Sequence, residues 1–276
     1  MTAELFNGSW QQALGRYRSS CAYRGQPFAA ESLVPSIARM GERFWEVEAP
    51  MLRAFRQYAR REVSGCDSEW DWLAVAQHHG LPTRLLDWTY SPLVAMHFAT
   101  VGCKDEDGLI WCVDYRASNR YLPARLKRVL ASEGADVFTA ETLARVAPTL
   151  TGLGRLSRKE FVTFLEPPSL DTRMVNQFAL FSLLSDPRTR LDQWLEQHPA
   201  GVRRIVVPAE IKPRVRDMLD QANINERVLF PGLDGLSLYL RRYYAPTPLL
   251  AELHERGSRH VAPRLSAARR VRRRAR

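Results

Sequence analysis

The 276 residues are 45% hydrophobic and 25% charged, enough for a sizeable core beneath an ordinary charged surface. No apolar run approaches 20 residues, so neither a transmembrane helix nor a membrane partner is expected, and the first residues, MTAELFNGSW, lack a secretory signal pattern. The formal net charge of +10 is misleading, because residues 256–276 hold nine Arg and no Asp or Glu, which leaves +1 on residues 1–255.

Asn7 is placed to cap a short helix reaching Ser19, so residues 1–19 are expected to form an N-terminal helix. Cys21-Ala22-Tyr23 is a strand-like run ending in Arg24-Gly25-Gln26. A planar guanidinium beside a residue with no side chain suits phosphate or carboxylate recognition, although a lone Arg more often makes a surface salt bridge. Residues 41–63 have helical periodicity, with Pro50 predicted to break or kink the helix. Ser68 caps the next helix with Asp71 as its capping box, and Gly80 and Pro82 stop it. Ser91-Pro92 opens a third helix, whose apolar face is Leu93, Val94, Ala95, Phe98 and Ala99.

Between these last two helices, partly in an extended 83–89 segment, fall His78, His79, Thr83, Arg84, Asp87, Trp88 and Ser91. So many different polar groups at one corner point to binding or chemistry. The structural alternative is a polar staple in which Arg84 pairs with Asp87 and the histidines cap their helix.

Downstream, Gly108–Asp114 reads as a buried strand and 119–160 as a helical insertion. Residues 161–165, 178–183 and 204–207 read as strands, and 209–222 and 235–244 as helices. Strands outside a clean β-α-β alternation predict an α+β fold, a mixed sheet with flanking helices. Residues 20–244 are expected to form one domain. Residues 245–276 form a basic tail, expected to be disordered and to touch nucleic acid only non-specifically. Cys21, Cys66, Cys103 and Cys112 show no Cys-x-x-Cys spacing and make no zinc pattern with the histidines, so no metal is expected and a reducing cytoplasm fits. No Walker motif, nucleophile elbow or full dinucleotide fingerprint is present.

Tyr23-Arg24-Gly25-Gln26 resembles the signature of the FRG domain, a family named for its Phe-Arg-Gly start, with Tyr standing for the Phe. Gln77-His78-His79-Gly80-Leu81-Pro82-Thr83-Arg84-Leu85-Leu86-Asp87-Trp88-Thr89, then Ser91-Pro92-Leu93-Val94-Ala95 and Phe98-Ala99, is similar to that family's longest motif almost residue for residue. Arg173 and Gln177 ahead of Phe181 are similar to its late Arg…Gln…Phe pattern; the family has a Gly after the Gln, where this chain has Phe178-Ala179. Leu229-Phe230-Pro231-Gly232-Leu233-Asp234-Gly235 is the last match. The order of an aromatic-Arg-Gly strand, a polar strand and a Ser-Pro helix start is similar also to ADP-ribosyltransferases. Those enzymes add a late Glu, whereas Glu160 and Glu166 here lie in no matched motif.

The resemblance implies an ADP-ribosyltransferase-like core that takes NAD as substrate without a metal, consuming it by transfer or by hydrolysis, as in a toxin or anti-phage effector. The alternative is a non-catalytic domain that binds a ligand or partner at the same corner. Cleaving the ribosyl–nicotinamide bond passes through an oxocarbenium-like transition state. His78, as acid/base or donor to a ribose hydroxyl, and Asp87, near the cationic carbon, are the candidate catalytic residues. Tyr23, Arg24, Gly25, Gln26, Thr83, Arg84, Trp88, Ser91, Arg173 and Gln177 are the candidates for holding this nucleotide-like ligand. Arg24 would clamp phosphate, and Tyr23 or Trp88 would stack on a flat ring. Arg24 and the 78–87 segment are expected to share one pocket, though more than fifty residues separate them.

Overall fold

The computed structural model describes residues 5–6, 8–12, 14–102, 105–168 and 171–246. Nine strands lie within them: β1 (Ser9–Gln11), β2 (Arg16–Arg18), β3 (Cys21–Gln26), β4 (Leu86–Thr89), β5 (Gly108–Asp114), β6 (Phe138–Thr139), β7 (Val162–Glu166), β8 (Ala179–Leu184) and β9 (Val202–Val207). The helices that matter most are α1 (Phe44–Ala59), α2 (Glu69–His78) and α3 (Pro92–Thr100). Further along come α4 (Tyr115–Ser118), α5 (Ala124–Glu133), α6 (Ala140–Ala144), α7 (Leu150–Gly154), α8 (Thr172–Asn176) and α9 (Leu191–Gln197). The last three are α10 (Lys212–Gln221), α11 (Glu226–Leu229) and α12 (Leu233–Tyr243).

Seven strands form one mixed sheet in the order β6-β7-β8-β4-β3-β5-β9, antiparallel throughout except for the parallel β6–β7 pair, so the fold is α+β. The residues expected to form a helical insertion do carry α5, α6 and α7, but β6 among them joins the sheet edge and Leu126, Leu130, Leu143 and Leu150 enter the core. One face of the sheet is covered twice. Toward β6–β8 lie α2, α5, α6 and α7, with Trp70, Leu73 and Leu126 buried against Phe161 and Phe181. Toward β3, β5 and β9 lie α3 and α10, with Ala95, Met96, Ala99, Val215 and Leu219 against Tyr23, Ile110 and Val207. The opposite face buries Ala22, Leu86, Trp88, Trp111 and Phe164 with α9.

Two expectations are corrected here. The first is the N-terminal helix: β1 and β2 form a hairpin with Trp10 opposite Tyr17 and their rings edge-on at 5.2 Å. Gly15 turns it with φ +57°, a conformation that suits a tight turn and breaks a helix. Residues 1–4, 7 and 13 of that expected helix, and nearly all of the 245–276 tail, lie outside the described residues. The second concerns Pro50: it does not break α1, which runs through it from Phe44 to Ala59 without an amide donor at that position.

One buried polar network ties α3 to the C-terminal helices. His97 is fully buried, and its Nδ1 accepts from Arg216 Nη1 at 2.8 Å, since a guanidinium only donates. Arg216 pairs with Glu226, which Arg242 also holds at 2.9 Å. Burial first, then the Arg216 charge, push His97 down to about 3, against the pull of Glu226. A depressed folded-state pKa means the unfolded chain binds the proton first. The stabilisation is therefore complete above about pH 6.5 and is lost as pH falls from there toward 3. Urea melts at pH 7 and pH 5 are expected to show about 2 kcal/mol lost between them, with the loss absent in His97→Gln.

Candidate functional site

The site forms where the two helical layers part, at the junction of β3 and β4. β3 pairs β5 over six residues and β4 pairs β8 over four, yet β3 and β4 pair only at Tyr23 and Thr89. Beyond that point the strands splay into a wedge. The capping box of Ser68 and Asp71 starts α2, and His79 and Gly80, the latter at φ +82°, end it. Ser91 caps α3 by accepting from Val94 N–H, with Pro92 at the first helical position. These local signals fix the chain on either side of β4. Gly25 lets α3 lie directly on β3, since a Cβ at residue 25 would sit 1.9 Å from the Ala95 carbonyl oxygen and 2.6 Å from Ala99 N.

A cavity of about 300 Å³ occupies the wedge. Eight of the sequence-predicted residues line it: Tyr23, Arg24, Gly25, His78, Asp87, Trp88, Arg173 and Gln177. Arg24 bridges the wedge, its Nη1 donating to the Asp87 carbonyl at 2.6 Å. Its Nε is buried without a hydrogen-bond partner, and among the described residues it forms no ion pair. Burial lowers the Arg24 pKa from its ordinary value while the Asp87 charge opposes this, and so basic a group stays cationic. A cation with a donor to spare is a place for an anionic or strongly accepting ligand atom.

The Asp87 carboxylate accepts from Gln77 Nε2 at 3.1 and 3.2 Å. Thr83 donates to Gln77 Oε1 at 2.6 Å, which fixes which end of that amide faces Asp87. His78 Nε2 lies 2.8 Å from Asp171 Oδ2, while Asp171 also caps α8 through Met174 N–H. Tyr23 is buried, and burial pushes its hydroxyl up to about 12, so it meets a ligand as a neutral ring. Phe98, Met174 and Phe181 complete the apolar wall.

The late residues arrive through α8. Arg173 lies 5.1 Å over the Phe230 ring, Gln177 Nε2 donates to the Leu229 carbonyl at 2.9 Å, and Thr89 donates to the Gln177 carbonyl at 2.6 Å. The 229–235 segment therefore buttresses the 173–177 segment that lines the cavity. Phe178 takes φ +49°, the left-handed region a glycine enters freely, which is the physical reason a Gly suits that position in the resembling pattern.

Four predicted residues stand elsewhere. Gln26 is buried and bonded to Trp111 Nε1 at 2.7 Å and the Glu31 carbonyl at 3.3 Å. Thr83 serves Gln77, and Ser91 serves as a helix cap. Arg84 does not pair with Asp87 as the staple reading expects; it makes a buried ion pair with Glu48 of α1 at 2.5 Å. Trp88 borders the cavity, but its indole turns to the other face of the sheet and donates to Ser182 at 2.7 Å, so it offers no stacking surface. Sequence reasoning missed Gln77, Thr89, Phe98, Met174, Asp171 and Phe181. Gln77, Thr89, Phe98 and Phe181 stand in the matched motifs without having been assigned to the site, and Asp171 carried a local signal as an N-cap before Thr172-Arg173-Met174.

Every one of β3, α1, α2, β4 and α3 falls within a single stretch that a known family accounts for. Residues 19–108 match the FRG domain. The FRG match supplies both edges of the wedge, while Arg173, Gln177 and the 229–235 buttress come from outside it. No curated protein and no solved structure matches the chain.

Proposed function

We propose that the wedge binds a nicotinamide dinucleotide and hydrolyses its ribosyl–nicotinamide bond. The observation that carries this reading is the pairing of a buried Arg24 with a free Nε and an oriented Asp87 carboxylate across unpaired strand edges. A volume of about 300 Å³ suits the nicotinamide–ribose half rather than a whole dinucleotide. Arg24 and Arg173 supply positive charge for phosphate, and Tyr23, Phe98 and Phe181 supply apolar surface for a flat ring. As the bond between ribose C1′ and the ring nitrogen breaks, nicotinamide leaves with the electron pair and C1′ becomes cationic. Asp87 stabilises that carbon, and water adds to it and gives up a proton, with Asp87 or His78 as acceptor.

Hydrolysis is favoured over transfer by the carboxylates. Among the described residues Asp87 alone of the acidic side chains lines the cavity, and Glu166 instead accepts from the Tyr90 hydroxyl at 2.6 Å. The same observation keeps the binding-only reading as the second choice. NAD consumption of this kind would act in the cytoplasm, as a toxin or anti-phage effector does; among the described residues no helix is long and apolar enough to cross a membrane. The test is incubation of the purified full chain with NAD and chromatography of the products. Free nicotinamide with ADP-ribose supports hydrolysis. Intact NAD together with calorimetric binding leaves only the binding reading.

A further inference from the structure

A second cavity of about 420 Å³ adjoins the first, lined by Phe6, Tyr17, Ser19, Tyr23 and Tyr90, with Gly8 and Pro92 at its rim. Tyr23 borders both cavities. Four of the lining residues are aromatic and none is charged. Tyr17 stands on β2 with its ring held edge-on by Trp10 and is 70% exposed; Tyr90 is fixed by its hydrogen bond to Glu166 at 2.6 Å. Large, flat, neutral walls suit a π-faced ring. The larger cavity of about 620 Å³ on the far side of Phe98 fits a neutral ring less well, since Arg216, Arg242, Glu226 and Asp220 line it and are already paired with one another.

We infer that this aromatic groove is a purine subsite, holding the adenine end of the dinucleotide whose other end enters the wedge. The inference rests on the reading given under Proposed function and deepens it: the first cavity holds only half of such a ligand, and the groove shares the Tyr23 wall with it. The site then selects dinucleotides over nicotinamide mononucleotide through stacking rather than through charge.

The experiment is calorimetry of the full chain with NAD, nicotinamide mononucleotide and AMP, using wild type, Tyr17→Phe and Tyr17→Leu. Leu keeps the apolar bulk of the hairpin and removes the ring, and Phe keeps the ring. Tyr17→Leu is expected to weaken NAD and AMP about tenfold while the mononucleotide binds as to wild type, and Tyr17→Phe is expected to behave as wild type. Equal NAD affinity in Tyr17→Leu and wild type overturns the subsite, as does an equal loss for the mononucleotide. If neither NAD nor the mononucleotide binds wild type, the reading of the wedge fails and AMP alone decides the groove. AMP binding that Tyr17→Leu weakens then supports it, and AMP that does not bind, or binds both equally, overturns it.

Discussion

Asp87→Asn is expected, on the proposed hydrolysis, to lower the turnover of NAD about a hundredfold with little change in KM, because the amide keeps the shape and loses the charge proposed to face the ribosyl cation. One such electrostatic contact is worth on the order of 3 kcal/mol in the transition state. Gln77 and Thr83 make this a clean substitution to interpret. Gln77 donates to the carboxylate and Thr83 holds Gln77 by donating to its Oε1, so an asparagine oxygen can take the same bond and the frame of the cavity stays in place. Arg24→Ala is expected to behave differently and mainly raise KM, since a phosphate clamp acts on substrate and transition state alike. Arg24→Lys should restore little, because a point-like ammonium has no planar fork to keep one N–H on the Asp87 carbonyl while a second, at the Nε position, stays apart from it. A purely structural role for Asp87 predicts the reverse pattern, a lower melting temperature with activity per folded molecule intact. Steady-state kinetics and thermal melts on the same Asp87→Asn preparation separate the two.

The largest loss of stability is expected from Glu48→Ala. Glu48 and Arg84 are 2% and 8% exposed, and the carboxylate accepts from Arg84 Nε at 2.7 Å and from its backbone N–H at 2.9 Å. Removing the carboxylate strands a buried guanidinium and an amide, at a cost of about 3–5 kcal/mol. For a chain of this size that is on the order of 10 °C in melting temperature. The double variant Glu48→Leu, Arg84→Met is expected to recover most of it, because no charge is then left unpaired in the core. The exposed pair Arg43–Glu46 serves as a control, where Glu46→Ala should move the melting temperature by no more than a degree or two. A small effect at Glu48 would mean that water reaches Arg84.

What the sequence made legible follows the range of the forces involved. The caps of α2 and α3 were readable residue by residue, because a side-chain oxygen and an amide three positions on settle them locally. The strands β5, β7, β8 and β9 were visible as apolar runs, their ends displaced by a residue or two. The convergence of Arg24 with Asp87 was expected from two polar interruptions in apolar elements, and the cavity contains both. The partner of Arg84 was not readable, since Glu48 lies 36 residues upstream on a helix whose charges otherwise face solvent. Trp88 was assigned to a ligand when strand alternation already turned it away from Asp87. The hairpin of β1 and β2 escaped because three-residue strands show almost no period. Only Gly15 argued against a helix there.

Gly25 has a mechanical meaning beyond the approach it permits. With the Ala95 carbonyl seated where a side chain would begin, β3 and α3 form one stiff plate, and the wall of the cavity that carries Tyr23 and Phe98 cannot retreat. The facing wall is α8, five residues long and held to its surroundings by side chains such as Asn176 and Gln177. A ligand of the proposed kind would meet an anvil on one side and a more yielding wall on the other. Substitutions at Met174 or Gln177 are the ones that can retune which molecules fit, while any residue larger than glycine at position 25 breaks the anvil itself.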